Sequence, residues 1–212
     1  LFHWNGSHGV KVLRKALTEI LQNQYGVQIL SEHQLSGHTA QWPVIVVPGW
    51  AHLEPEFRGE LVLYAKSGGR LVLIGSGPRK LFETELGSTS NLSIVQVNEV
   101  DQAFSSVLKQ VLPNPVVKVV GAKDLDVSPR MLNGNLTIHL VNTSGPHANA
   151  PDGGITEVKP LGPLTVSISL AKAPKAILMQ PQGTSLDVTW SNGRAQVTLP
   201  QLDLYSILVV KP

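Results

Sequence analysis

The apolar positions of the chain change rhythm near its middle. Up to about residue 112 they alternate between helical spacing and short continuous runs. Val10 to Gln24 carries Val12, Leu13, Ala16, Leu17, Ile20 and Leu21 at spacings of one, three and four, which is one apolar face of a helix. Gly26 follows as a stop signal. Val27 to Leu30 reads as a short strand, and Val44 to Val47 as a β-branched strand between Pro43 and Pro48-Gly49. A run apolar on every side suits a parallel strand covered on both faces. Glu54 to Lys66 is helical, with Phe57, Leu61 and Tyr64 on one side, and Ser67-Gly68-Gly69 ends it. Arg70 to Ile74 is the next strand, Leu92 to Val97 a weaker one, and Val100 to Val111 a last helix. Strands and helices in alternation, joined by short Gly-containing loops, predict an α/β doubly wound, flavodoxin-like domain over residues 1–115.

Residues 116–212 follow a period of two. Short apolar-rich runs occupy Val116 to Val120, Leu136 to Val141, Leu164 to Leu170, Ala176 to Met179, Leu186 to Trp190, Ala195 to Leu199 and Tyr205 to Val210. Turn signals separate several of them: Asn133-Gly134, Pro181-Gln182-Gly183 and Ser191-Asn192-Gly193. The pattern predicts an antiparallel, all-β sandwich. Leu112-Pro113-Asn114-Pro115 marks the boundary, because two prolines in four residues make a stiff connector that no helix continues through. Only Leu1-Phe2-His3 precedes the first helical stretch, so the first strand of the α/β domain reads as truncated and the chain as part of something longer.

Charge and composition narrow the chemistry. The chain has 17 basic and 15 acidic residues, a net charge of +2, and no Cys. Residues 1–115 carry nine of each sign and residues 116–212 eight basic and six acidic, so neither half offers the basic surface that nucleic acid requires. Without Cys there is no disulfide, thiolate zinc site or cysteine nucleophile. No apolar run reaches the roughly 18 residues of a membrane span. The chain opens at Leu1-Phe2-His3-Trp4 without the basic and apolar regions of a signal peptide. The compartment is open between the cytoplasm and the periplasm or exterior.

Candidate site residues gather where strands end. Trp50, His52 and Glu54 follow the Val44 strand, and a ring beside a carboxylate is what a sugar site would use. The competing role is structural, with Trp50 packed on the sheet and Glu54 or Glu56 opening a helix. Ser76, in Gly75-Ser76-Gly77, stands after the Arg70 strand, where doubly wound folds bind ligands. The nucleophile-elbow pattern G-x-S-x-G is incomplete there, because Ile74 and Pro78 stand at its glycine positions. A tight turn between small residues is the competing role of that segment. His3, His8 and Trp4 could approach His52, yet the seven histidines show no metal-ligand spacing. The polar stretch Asn142 to Gly154 matches no calcium loop, and Asn5, Asn91, Asn135 and Asn142 head N-x-[ST] triplets. No cofactor and no metal is expected.

Two stretches resemble known families when taken together. The first helix, Val27 to Glu32, Trp42 to Gly49 and Tyr64 to Gly75, with Gly68-Gly69 ahead of a strand, resemble the glutamine-amidotransferase-like domain called the trimerisation domain in family 42 beta-galactosidases. True class I amidotransferases place a Cys after that strand; Ile74-Gly75-Ser76 stands there instead, so that activity is not implied. In the second half, Leu136 to Asn142, Pro160 to Leu164, Lys175 to Gly183 and Val197 to Val210 resemble the small β-sandwich closing many bacterial glycoside hydrolases, including alpha-fucosidase-like and hypothetical glycosyl hydrolase families. In such enzymes the catalytic carboxylates lie on a preceding (β/α)₈ barrel.

The resemblance implies a non-catalytic accessory or oligomerisation region of a glycoside hydrolase. Its partners would be the preceding barrel or other subunits, with carbohydrate as a further ligand. Two alternatives remain. One is a carbohydrate-binding module using Trp4, Trp50 and His52, or Trp190. The other is a hydrolase using Ser76, which needs a histidine nitrogen within about 3 Å of its hydroxyl.

Overall fold

The computed structural model describes residues 8–87, 93–145 and 158–212. The chain divides into two compact units, Leu1–Ile20 with Val27–Pro113, and Leu21–Gly26 with Asn114–Pro212.

Helix α1, His8–Gln22, opens the described part of the chain, with Ala16 and Ile20 buried. A four-residue helix α2, Glu32–Leu35, follows, its start closed by a reciprocal capping box between Ser31 and Gln34. A 3₁₀ turn at Thr39–Gln41 leads into β1, Val44–Pro48. Then come α3 (Pro55–Lys66), β2 (Arg70–Ile74), the short helices α4 (Ser76–Leu81) and α5 (Glu83–Leu86), β3 (Ile94–Val97) and α6 (Gln102–Val111). The three strands form one parallel sheet in the order β1-β2-β3. In β2 every residue from Leu71 to Ile74 is fully buried, as a central strand requires. Phe57, Leu61, Tyr64 and Ala65 of α3 pack with Ile45, Val47, Leu71, Leu73 and Phe82 in one core.

Val27 to Leu30 is not a strand. Ile29 is 60% exposed, so the run lacks the buried face that a parallel strand needs. The other expected elements of this unit shift only at their ends.

The second unit holds two antiparallel sheets. One takes the order β10-β11-β7-β4 and the other β5-β6-β12-β8-β9. The strands are β4 (Val117–Val120), β5 (Leu125–Leu132), β6 (Asn135–Asn142), β7 (Leu164–Ser169), β8 (Ala176–Gln180), β9 (Thr184–Leu186), β10 (Thr189–Ser191), β11 (Arg194–Leu199) and β12 (Tyr205–Lys211). Alternate residues of both sheets, among them Val119, Val127, Ile138, Leu140, Val166, Ile168, Val197 and Leu208, meet in one core. That is the packing of two layered sheets.

Two features of this unit differ from the sequence pattern. β5 was absent from it, because Pro129 interrupts the run and Arg130 to Leu132 are exposed. The strand lies at the edge of its sheet, where a residue without an N–H costs no ladder bond. Leu186 to Trp190 is not one strand: β9 pairs with β8, β10 pairs with β11, and Asp187-Val188 carries the chain from one sheet to the other.

Among the described residues, no helix is long and apolar enough to cross a membrane, and no buried side-chain polar atom lacks a hydrogen-bond partner.

Candidate functional site

The carboxyl end of the parallel sheet is where the candidate residues meet. Pro48 lies beside Ile74, and Ile74 beside Val97, so the chain leaves all three strands at one level. The Gly49 amide donates to the Ile74 carbonyl (2.8 Å) and the Gly75 amide to the Val97 carbonyl (2.9 Å), extending the ladder one residue past each strand. Gly75 turns with φ +90°, a conformation that disfavours a side chain. A Cβ on Gly77 would lie 3.1 Å from the Trp50 carbonyl oxygen and 3.2 Å from Ala51, so the loops after β1 and β2 touch there. Small residues at Gly75-Ser76-Gly77 therefore serve a close approach of backbones.

Trp50 is 37% exposed. A Cβ on Gly9 would stand 2.8 Å from its ring carbons Cε3 and Cζ3, so part of the indole packs on that glycine of α1. His52 and Glu54 are exposed on the same loop. Glu54 is the residue before α3 and makes no side-chain cap; its amide donates to Glu32 Oε2 at 2.9 Å. Ser76 is exposed at the first turn of α4, and no hydrogen bond joins it to a histidine among the described residues. Trp4 and His3 lie outside the described residues, and His8 starts α1. The structure thus brings Trp50 and the Ser76 loop together. Among the described residues it pairs Ser76 with no histidine, and it places no group of three or more His, Asp or Glu to hold a metal ion.

Several acids of this unit hold structure. Arg58 makes a two-pronged ion pair with Glu85 at 2.6 and 2.8 Å, donates from Nε to the Leu81 carbonyl, and lies 5.2 Å over the Phe82 ring. Asp101 caps α6 by accepting from the amides of Ala103 and Phe104. Glu19 accepts a hydrogen bond from Ser105.

A second feature lies at the opposite, amino end of the strands, where the sequence pattern placed no candidate site residue. A groove of about 440 Å³ is lined by Trp42, Pro43, Glu60, Leu63, Tyr64 and Gly69, among others. Glu60 accepts from Ser36 Oγ (2.8 Å), the Gly37 amide (2.8 Å) and Thr39 Oγ1 (3.2 Å). Desolvation alone would raise this carboxyl; the hydrogen bonds outweigh it and hold the group below its ordinary value. The Tyr64 hydroxyl donates to the Trp42 carbonyl (2.9 Å) and accepts from the Arg70 amide (3.1 Å), and burial raises its pKa. Gly69 is required because a Cβ there would fall 2.2 Å from the Tyr64 ring. The groove's polar groups face one another and brace the loop ahead of β1. In the sequence the groove's lining residues Trp42, Pro43, Tyr64, Gly68 and Gly69 read as parts of a helix, a strand start and a helix stop.

In the second unit, Asn142 is 4% exposed. Its side chain donates to the carbonyls of Lys159 and Asp203 and accepts from Ser144, so its N-x-[ST] triplet serves packing. Trp190 lies on β10, partly buried against the core. Most of the polar stretch after Asn142 lies outside the described residues.

The sequence matches no protein-family model and no curated protein. Solved structures do resemble the chain. Alpha-L-fucosidase isoenzyme 2 from Paenibacillus thiaminolyticus is 13% identical with a TM-score of 0.71, over 99% of this chain and 46% of that one. Gan42B, a GH42 beta-galactosidase from G. stearothermophilus, solved as a catalytic mutant, is 10% identical with a TM-score of 0.62, over 94% of this chain and 36% of that one. Beta-galactosidase from Bacillus circulans sp. alkalophilus is 11% identical with a TM-score of 0.65, over 96% of this chain and 38% of that one. The chain spans less than half the length of each. At these identities the likeness is one of fold, and the folds it matches are parts of glycoside hydrolases.

Proposed function

We propose that the chain is a non-catalytic region of a glycoside hydrolase, with catalysis carried by a barrel elsewhere in the polypeptide or by a partner subunit. One observation carries the reading. Three solved glycoside hydrolases match 94 to 99% of this chain over only 36 to 46% of their own length. A (β/α)₈ barrel is built on eight parallel strands. This chain has 212 residues, and its described residues hold three parallel strands.

The chemistry of the described residues supports the same reading. A glycosidase needs two carboxyl groups facing each other across a sugar. Four acids are engaged elsewhere: Glu19 accepts from Ser105, Glu60 holds the loop ahead of β1, Glu85 pairs with Arg58 and Asp101 caps α6. In this reading the first unit is a doubly wound, amidotransferase-like domain and the second a closing β-sandwich. Their work is to pack against the catalytic part and its neighbouring subunits.

The test is direct assay of the purified 212-residue chain on aryl α-L-fucosides and β-D-galactosides. The reading predicts hydrolysis no faster than the buffer blank. Turnover within the ordinary enzymatic range, on the order of 1–10³ s⁻¹, would overturn it.

A further inference from the structure

The parallel sheet has an open side at β1. Among the described residues β1 pairs only with β2. Pro48 stands opposite Ile74, and the Gly49 amide bonds to the Ile74 carbonyl. That register turns the backbone groups of Ile45 and Val47 toward β2, and those of Val44 and Val46 toward the open side. Ile45 and Val47 are buried and Val44 and Val46 half-buried, the two-sided cover of an inner strand. A row of backbone groups on such a side is a template for another strand.

The path of the chain around this side selects the strand. α1 begins where β1 ends: a Cβ on Gly49, the residue after β1, would lie 3.2 Å from the Gly9 Cα and 3.1 Å from the Val12 Cβ. A segment that leads into α1 therefore arrives at the carboxyl end of the sheet, and a strand ending there runs parallel to β1. In a flavodoxin-like sheet the first strand lies between the second and the third. Val27 to Leu30 holds the second place in chain order without pairing, and β1, β2 and β3 hold the next three. The place beside β1 then falls to the stretch before α1. Leu1-Phe2-His3-Trp4 is the apolar stretch there, and Asn5-Gly6-Ser7 is a connection of ordinary length between a strand and its helix.

We infer that the open side of β1 is the docking edge for Leu1 to Trp4, which lie outside the described residues, added as a parallel strand. The inference rests on the doubly wound reading of this unit. A catalytic barrel ahead of this region would then be joined to it through a strand of its sheet, and not through a free linker.

The experiment is nuclear magnetic resonance on the whole chain, reading amide exchange at Val46 and proton–proton contacts across the β1 edge. In the wild type, Val46 should show cross-strand contacts to Leu1–Trp4. Its amide should exchange at least about a hundredfold more slowly than in an unstructured peptide. The combined variant Leu1→Gly, Phe2→Ser, His3→Gly and Trp4→Ser keeps the length and removes the apolar side chains. It should lose these contacts and exchange Val46 at least about tenfold faster than the wild type, with the amides of β12 in the other unit unchanged. An unprotected Val46 amide in the wild type would overturn the inference. So would contacts from Val46 to Val27–Leu30, or contacts that fade on dilution and so mark a second copy on the edge. Each of these leaves the non-catalytic reading standing, whereas turnover of aryl glycosides would remove that reading and leave the docked strand.

Discussion

Single residues fix the geometry at both ends of the parallel sheet. Gly68 and Gly69 look alike in sequence but act differently. A Cβ on Gly68 meets nothing within 4 Å and meets only the strain of φ +94°, whereas a Cβ on Gly69 falls inside the Tyr64 ring. Gly69→Ala must displace a tyrosine whose hydroxyl joins Trp42 to Arg70. It should cost about 2–3 kcal/mol, readable as a lower urea midpoint at unchanged slope. Glu60 supplies a pH signature. Its carboxyl is held below its ordinary value in the folded chain, so its contribution is present above the unfolded carboxylate pKa and is lost as pH falls through the folded one. The stability gap between wild type and Glu60→Gln should therefore be constant near neutral pH and shrink on acidification; a gap independent of pH would contradict this. Neither role was legible in the sequence. Spacing marks Gly68-Gly69 as a helix stop, but the ring over Gly69 and the three donors around Glu60 are contacts made by folding. Trp50, His52, Glu54 and Ser76 were legible as occupants of the sheet's carboxyl end, because strand ends can be located from apolar runs. What these side chains do was not, since Trp50 rests on Gly9 of a helix remote in sequence from its loop.

At the scale of elements, the expected helix Val100 to Val111 starts two residues later, at Gln102, because Asp101 stands in front of it and accepts from two amides of its first turn. Asp101→Ala should cost about 1 kcal/mol in denaturant unfolding, and Asp101→Asn much less, because asparagine caps nearly as well. Strands were legible where burial is two-sided or strictly alternating, as in β2 and β7. They were misread where the sheet, and not the segment, decides. Val27 to Leu30 has the composition of a strand but no neighbour among the described strands, and Ile29 faces solvent. β5 has the composition of a loop, yet its position at a sheet edge tolerates Pro129. The Leu186 to Trp190 run crosses between two sheets, a change of partner that period-two patterning does not encode.

For the whole molecule, the change of rhythm near residue 113 and the split into two compact units fall at the same place, apart from Leu21–Gly26, which joins the second unit. The α/β character of the first half and the all-β character of the second follow from periodicity. The accessory reading does not. It rests on nearly complete coverage of this chain by less than half of each glycoside hydrolase. It also rests on acids engaged in caps and ion pairs. The described residues hold three parallel strands, where a (β/α)₈ barrel has eight. The proposed accessory role requires that the chain have no glycosidase activity of its own. The most direct measurement is steady-state release of aryl alcohol from aryl glycosides by the purified, folded chain at high enzyme concentration. An accessory role gives a rate equal to the buffer blank; turnover that scales with chain concentration and disappears on unfolding rules it out.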